Sequence, residues 1–279
     1  MGSGRITVLV ENTAGGRGLL AEHGLAFWIE LGDRKVLFDT GQSNVLLGNA
    51  RRLGIRLEQV DAIVLSHGHY DHTGGLRGVL SKTGKAEVIA HPDIWAAKYA
   101  RRAERERYVG IPFSQQELEA LGASFTLSRD PVWISENIVT TGEIPMITEY
   151  EEIDPNVYAK VDGELIPDPI LDDRALIVKT DVGLVVVLGC SHRGIINTLY
   201  HAREVTGVET IHTVVGGTHL ISASEERILL TAAALKELGV KRVGASHCTG
   251  LPAAALLARE LGDIFFYSNV GTSITIPTA

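Results

Sequence analysis

Apolar residues along the chain fall into short runs, and most of these runs follow one of two periods. RITVLVEN (5–12) alternates and is β-branched, which predicts a strand. AFWIELG (26–32) and KVLFDTG (35–41) predict two more, joined as a hairpin turning near Gly32-Asp33. SNVLLGNARRLGI (43–55) spaces its apolar positions as one face of a helix. DAIVLS (61–66) reads as a buried strand and GGLRGVLSKT (74–83) as a helix. EVIAH (87–91) predicts a strand, and a helix is expected from about Pro92, since proline suits a first turn. Strand-like pieces recur at 123–128 and 132–140. Later, ALIVKT (175–180) and GLVVVLG (183–189) form a second hairpin pattern. Helices over 194–206, 224–239 and 251–262 then alternate with strands over 209–217, 240–247 and 263–270.

The segment 141–174 breaks this regularity. It holds four prolines and many acids with little periodicity, and reads as a long loop excursion, which in a compact domain is usually functional. Either side of it, each half opens on hairpin-like strands and passes into strand–helix alternation. Layer rules then favour an α/β fold of two packed sheets with helices outside, an αββα four-layer sandwich, over one doubly wound parallel sheet. The whole of 1–279 is read as a single domain.

Composition changes this picture little. With 45% hydrophobic and 22% charged residues the chain is ordinary for a soluble globular protein. A net charge of −8 argues against general nucleic-acid binding, which rests on Lys and Arg at phosphates. No run approaches the ~18 apolar residues of a membrane helix, so no membrane partner is expected. Cys190 and Cys248 are the only cysteines, too few for a disulfide framework, and a reducing cytoplasm is expected.

Chemistry concentrates at DAIVLSHGHYDHTGGL (61–76). His67, His69, Asp71 and His72 follow an apolar strand and precede a Gly-Gly helix start, the kind of strand-end loop on which a rigid scaffold carries a site. Imidazole and carboxylate donors suit zinc, then iron or manganese. Four such side chains in so short a turn crowd one ion. Two divalent metal ions would use them better, with His67 and His69 on one and Asp71 and His72 on the other. Asp39 is expected behind a ligand histidine rather than on a metal. His219, after Gly216-Gly217, could donate to a substrate oxyanion, complete a metal shell or be structural. Asp172 and Asp173 read as solvated carboxylates. Glu11, Asn12 and Glu143 are weaker site candidates, and His23, His91, His201 and His212 read as ordinary.

SHGHYDHTGG resembles the HxHxDH signature of the metallo-β-lactamase fold superfamily, and the resemblance runs through nearly the whole chain. FDTG (38–41) resembles that superfamily's early Asp-Thr-Gly turn, and GCSHRGIINTL (189–199), GGTHL (216–220) and SHCTG (246–250) are similar to later motifs of its dihydropterin-synthase-like branch, the 7,8-dihydropterin-6-methyl-4-(ribofuranosyl)aminobenzene-5′-phosphate synthase-like proteins. So are the phrases VLVENTA, EHGLAFWIE and NARRLGI. The resemblance implies the αββα fold, adds His192 to the first metal and adds His247 to Asp71 and His72 on the second. It also exposes a departure. Where many relatives have a bridging aspartate in a Gly-Asp step, this chain has Gly189-Cys190. Cys190 is then either a soft ligand or an inert buried thiol, and occupancy by one ion alone stays open.

KYARRAERERY (98–108) is the one basic cluster. Read as a helix, it puts Arg101 and Arg105 on one face, interleaved with Glu104 and Glu106. That face is either simply solvated or captures the phosphate of a substrate. The resulting expectation is a metal-dependent hydrolase that uses a metal-bound hydroxide on an ester, thioester or phosphoester. Asp71 would align the nucleophile and His219 would assist. The small-molecule substrate could carry a phosphate, held by Arg101, Arg105 and Asn12. The branch implies a transferase instead, condensing a dihydropterin diphosphate with a ribofuranosylaminobenzene phosphate. A non-catalytic metal-binding or redox module is the third reading.

Overall fold

The computed structural model describes residues 4–103 and 105–277. Two seven-stranded sheets form its centre. In the first, Ser273–Ile276, Gly4–Val10, Ala26–Leu31 and Arg34–Phe38 run antiparallel in that order. Ala62–Val64, Ala86–Ala90 and Ala123–Leu127 then add in parallel. The second sheet runs from Phe265–Tyr267 through Arg242–Ser246, Ile211–Gly217 and Gly183–Leu188, all parallel. It turns antiparallel through Ala175–Thr180, Ile138–Thr140 and Trp133–Ser135.

The inner faces of the two sheets share one apolar layer. Ile6, Phe27, Ile29, Phe38 and Val64 of the first sheet meet Leu176, Val178, Val185, Val187 and Val215 of the second. Each such side chain contributes about 1.5–3 kcal/mol on burial. Helices Val45–Arg52 and Leu76–Thr83 cover the outer face of the first sheet. Helices Ile195–Thr206, Glu225–Glu237 and Leu251–Leu261 cover the outer face of the second. This is the αββα sandwich that the strand order predicted. No helix among the described residues is long and apolar enough to cross a membrane.

Three segments depart from the pattern read in the sequence. Pro92 opens only a 3-10 turn, Pro92–Trp95, before Ala97–Arg102 continues as a strand. Arg105–Tyr108 pairs back on that strand, so the basic cluster is a β-hairpin and not a helix. Its outer partner comes from the excursion at 141–174, which is not all loop. Val157–Val161 and Glu164–Pro167 form a hairpin that joins Ala97–Arg102 in a third, four-stranded sheet. Glu104 lies outside the described residues. The strand Ser273–Ile276, unread in the sequence, closes the free edge beside Gly4–Val10.

Candidate metal centre

The side chains singled out around the histidine-rich loop sit at the carboxyl ends of parallel strands. Asp39 follows Arg34–Phe38, and the loop Ser66–His72 follows Ala62–Val64. Cys190 and His192 follow Gly183–Leu188, His219 follows Ile211–Gly217, and His247 follows Arg242–Ser246. Open α/β sheets place their sites here, because successive loops converge beyond the strand ends. Asp39, Ser191, His219 and His247 each take a positive φ, between 49° and 60°. Left-handed backbone at a residue other than glycine costs on the order of 1–3 kcal/mol and tends to gather at functional sites.

Two donor clusters lie side by side. His67 Nε2 is 2.9 Å from His69 Nδ1 and 3.2 Å from His192 Nε2. In the other cluster, His247 Nε2 is 3.2 Å from Asp71 Oδ2 and His72 Nε2 is 3.9 Å from that oxygen. Cys190 Sγ lies 3.1 Å from His72 Nε2, between the two groups. All of these side chains are buried. His23 is brought there too, with Nε2 3.1 Å from Asp71 Oδ2, although nothing in its sequence context marked it beyond the glycine that follows.

Hydrogen bonds behind the clusters orient the rings. Asp39 accepts from the Ser66 N–H (2.7 Å), from Ser66 Oγ (2.7 Å) and from His72 Nδ1 (2.6 Å). Because the Ser66 hydroxyl proton goes to Asp39, Ser66 Oγ accepts from His67 Nδ1 at 2.9 Å. His247 Nδ1 donates to Asn12 Oδ1 at 2.9 Å. A neutral imidazole whose Nδ1 carries the proton presents a lone pair at Nε2. His247 thus aims its lone pair at another acceptor, Asp71 Oδ2, and His67 aims its own at His192 Nε2. Two acceptors at such distances repel unless a proton or a cation lies between them. His69 Nε2 and His192 Nδ1 are buried without a partner among the described residues. The donor set fits divalent metal ions of the kind that imidazole, carboxylate and thiolate hold.

Burial holds His67 and His192 well below the usual imidazole range and His69 down to about 3, so these three are neutral at pH 7. Burial also lowers His247, against the pull of Asp71. His72 differs. Burial opposes its charge, but the Asp39 and Asp71 carboxylates push it up to about 9. An incoming ion must therefore displace its proton, and metal affinity is expected to rise with pH. Burial pushes Asp71 up, yet His72, His23 and His247 together hold it well below the usual carboxylate range. Burial raises the Cys190 thiol.

The cavity over the clusters has a volume of about 250 Å³. Asn12 and His219 line it, as do Arg102 and Arg107 from the hairpin of the third sheet. Arg101 and Arg105 do not: alternation turns Arg101 to the opposite face of the hairpin, and Arg105, although on the face of Arg102 and Arg107, lies outside the cavity lining. Arg101 pairs with Glu106 (2.6 Å) and lies over the Tyr158 ring, while Arg105 is exposed opposite Arg102. Arg107 instead stacks on Tyr70, inside the histidine loop, and donates to its hydroxyl at 3.0 Å. His219 is half-buried, its ring centroid 4.2 Å from that of His192, and burial lowers it to about 4. A second cavity of about 570 Å³ shares Asp154, Asn156 and His219 with the first.

Asp172 and Asp173 are not solvated; each is about 1% exposed. Asp172 accepts from the Gly68 N–H (2.7 Å), between His67 and His69, and from Lys98 Nζ (2.8 Å). Lys98 Nζ also donates to Asp168 at 2.9 Å. Asp173 accepts from the Arg193 N–H at 2.9 Å, while its other oxygen has no partner among the described residues, and burial raises it to about 7. The folded chain therefore holds this proton more tightly than the unfolded chain, and stability falls as pH rises from near 4 through about 7. Asp173→Asn removes that penalty. In metal-free protein it is expected to raise the melting temperature at pH 8 and leave it unchanged near pH 4. A carboxyl titrating near 7 rather than near 4 is worth up to about 4 kcal/mol. Equal melting shifts at both pH values would contradict a buried, raised carboxyl. Glu143 lies apart from the clusters, paired with His91 (2.9 Å) and Arg129. Glu11 accepts from the His247 N–H at 2.7 Å and so braces that turn. His201 and His212 have ordinary partners, Thr141 O and Thr213 Oγ1.

Strand-end clusters that could hold a divalent metal, between two sheets with helices outside, are the arrangement of a metal-dependent αββα enzyme. Residues 20–196 match the metallo-beta-lactamase superfamily, and the chain belongs to it. It is 34% identical to the 7,8-dihydropterin-6-methyl-4-(beta-D-ribofuranosyl)-aminobenzene-5'-phosphate synthase of Methanocaldococcus jannaschii, over 97% of this chain and 96% of that one. Among solved structures it is similar to Tm1679, described as a metal-dependent hydrolase of the beta-lactamase superfamily. The TM-score is 0.85 at 33% identity, covering 98% of this chain and 99% of that one. The metallo-beta-lactamase fold protein YhfI from Bacillus subtilis shares the fold, with a TM-score of 0.60 at 14% identity over 99% and 100% of the two chains.

Proposed function

We propose that the chain is a metal-dependent enzyme that cleaves a phosphoester or related ester bond of an anionic small molecule. One observation carries this reading: two donor clusters share the floor of a cavity whose wall bears the guanidinium groups of Arg102 and Arg107. His67, His69 and His192 would hold one ion, and Asp71, His72 and His247 the other, with Cys190 as the donor between them. Zinc suits this set before iron or manganese. When bound, such ions supply Lewis-acid charge and lower the pKa of a water toward neutrality.

The chain's own residues do the rest. Arg102 and Arg107 bind and orient the anionic group, since guanidinium forks match phosphate oxygens. Asn12 and Asp39 hold the His247 and His72 rings in one orientation. Asp71 would align the attacking oxygen. His219, neutral at pH 7, faces the cavity as hydrogen-bonding partner to the leaving group. The relatives at about a third identity are an enzyme of pterin synthesis and a described hydrolase, which supports catalysis over a purely binding role.

Chelation should abolish turnover of bis(p-nitrophenyl) phosphate, and added zinc should restore it. Turnover indifferent to chelation rejects the reading. Arg107→Ala and Arg102→Ala should each raise KM for that diester by about tenfold, the value of one charge-assisted hydrogen bond at an exposed site. KM for neutral p-nitrophenyl acetate and the metal content should stay unchanged. Equal effects on both esters would remove the arginines from substrate binding.

A group-transfer reading is favoured by the second cavity. A hydrolase needs room for one organic molecule and water, whereas about 570 Å³ beside His219 admits a second organic molecule. The relative in Methanocaldococcus jannaschii is named as a synthase. Supplying a dihydropterin diphosphate with and without a ribofuranosylaminobenzene phosphate, and weighing hydrolysed against coupled product, decides between the two.

A further inference from the structure

We infer that His23 is a ligand of the second metal centre, closing the shell begun by Asp71 and His247. The inference rests on the two-centre reading above. His23 Nε2, Asp71 Oδ2 and His247 Nε2 lie within 4.8 Å of one another, and the two imidazole nitrogens approach the same carboxylate oxygen at 3.1 and 3.2 Å. The His23 and His247 ring centroids are 4.9 Å apart. With Nδ1 on Asn12 Oδ1, His247 turns its Nε2 to the same point that Asp71 Oδ2 and His23 Nε2 face. A cation satisfies all three donors together.

The loop that carries His23 is built to this position. Gly24 has φ 150°, and a Cβ there would stand 2.5 Å from the Asp71 carbonyl oxygen, so only glycine lets the segment lie against the histidine loop. Leu25 N–H donates to that same carbonyl at 3.3 Å. Gly24 N–H donates to Asn12 Oδ1 at 3.2 Å, the atom that also accepts from His247 Nδ1. One amide oxygen therefore sets the His247 ring and the His23 backbone against each other. The His23 side chain is 53% exposed, which leaves it room to close on an ion from the cavity side. A surface histidine that met Asp71 by chance would need neither the Gly24 contact nor the shared Asn12 oxygen.

The test uses the full-length chain stripped with dipicolinate and titrated with Co(II), followed by equilibrium dialysis and visible absorption. Wild type should take up two ions. His23→Ala and His23→Gln should keep the first and bind the second at least about tenfold more weakly, the lower end of what lost supporting partners cost at metal sites. The visible bands of the second equivalent should weaken with it. His23→Cys should restore tight uptake and add a sulfur charge-transfer band beyond any that wild type shows. An unchanged melting temperature of metal-free His23→Ala confirms that the fold is intact. Two-ion uptake by His23→Ala with wild-type affinity and spectrum overturns the inference alone. A wild-type chain that takes up only one ion overturns the two-centre reading, and the inference falls with it.

Discussion

His67→Ala is expected to empty the first centre and to abolish turnover. His67 is fully buried, is fixed at Nδ1 by Ser66, and aims Nε2 at the point where His69 and His192 also converge. Alanine leaves the other two imidazoles without a third nitrogen to complete the set. An ion's charge stabilisation in the transition state is worth several kcal/mol, and each 1.4 kcal/mol is a factor of ten. A fall in kcat/KM on the order of 10³ or more follows. Elemental analysis should find the loss at this centre, with metal content down by one equivalent or more. Full metal content in the variant would show that the histidine loop is not the metal site.

Lys98→Met is expected to have the largest effect on stability. The lysine is 1% exposed and holds two buried carboxylates, Asp168 and Asp172. Burial works against its charge, but the two aspartates raise its pKa, so it stays protonated. Methionine fills similar space and leaves two buried charges uncompensated, which costs about 3–5 kcal/mol. For a chain of this size that is a drop of roughly 5–15 °C in melting temperature. Combining Lys98→Met with Asp172→Asn should recover part of the loss, because the two residues share one network. Asp172 also fixes the Gly68 N–H in the histidine loop, so the single variant should weaken metal binding as well. A melting temperature within 1–2 °C of wild type, of order ~0.5 kcal/mol, would show that the triad is not coupled to the fold.

The sandwich and the histidine loop were legible because both rest on local pattern. Apolar strands of period two declare themselves, and so do four donor residues at the end of one of them. His192 and His247 were placed through resemblance alone, since each ends a different strand far along the chain. KYARRAERERY misled for a physical reason. Alanine, arginine and glutamate are good helix formers, and a helix was the sound local choice. The chain overrides it because Val157–Val161, some sixty residues later, supplies the hydrogen-bonding ladder of a sheet. That shift also exchanges Arg101 and Arg105 for Arg102 and Arg107 at the cavity. Asp172 and Asp173 looked solvated because a carboxylate in sequence shows no partner. Theirs are Lys98, Gly68 and Arg193, all remote. His23 was passed over for the same reason, as Asp71 lies 48 residues away.

The four-stranded sheet has a consequence for how this architecture diversifies. It brings both cavity arginines and much of the mouth, yet contributes none of the donors in the two clusters. Which molecule is admitted and how it is activated are thus written on separate pieces of chain, riveted together at Lys98. Exchanging the excursion and the basic hairpin as a pair between relatives should retune the choice of molecule while leaving the inorganic core intact, provided that the rivet is kept.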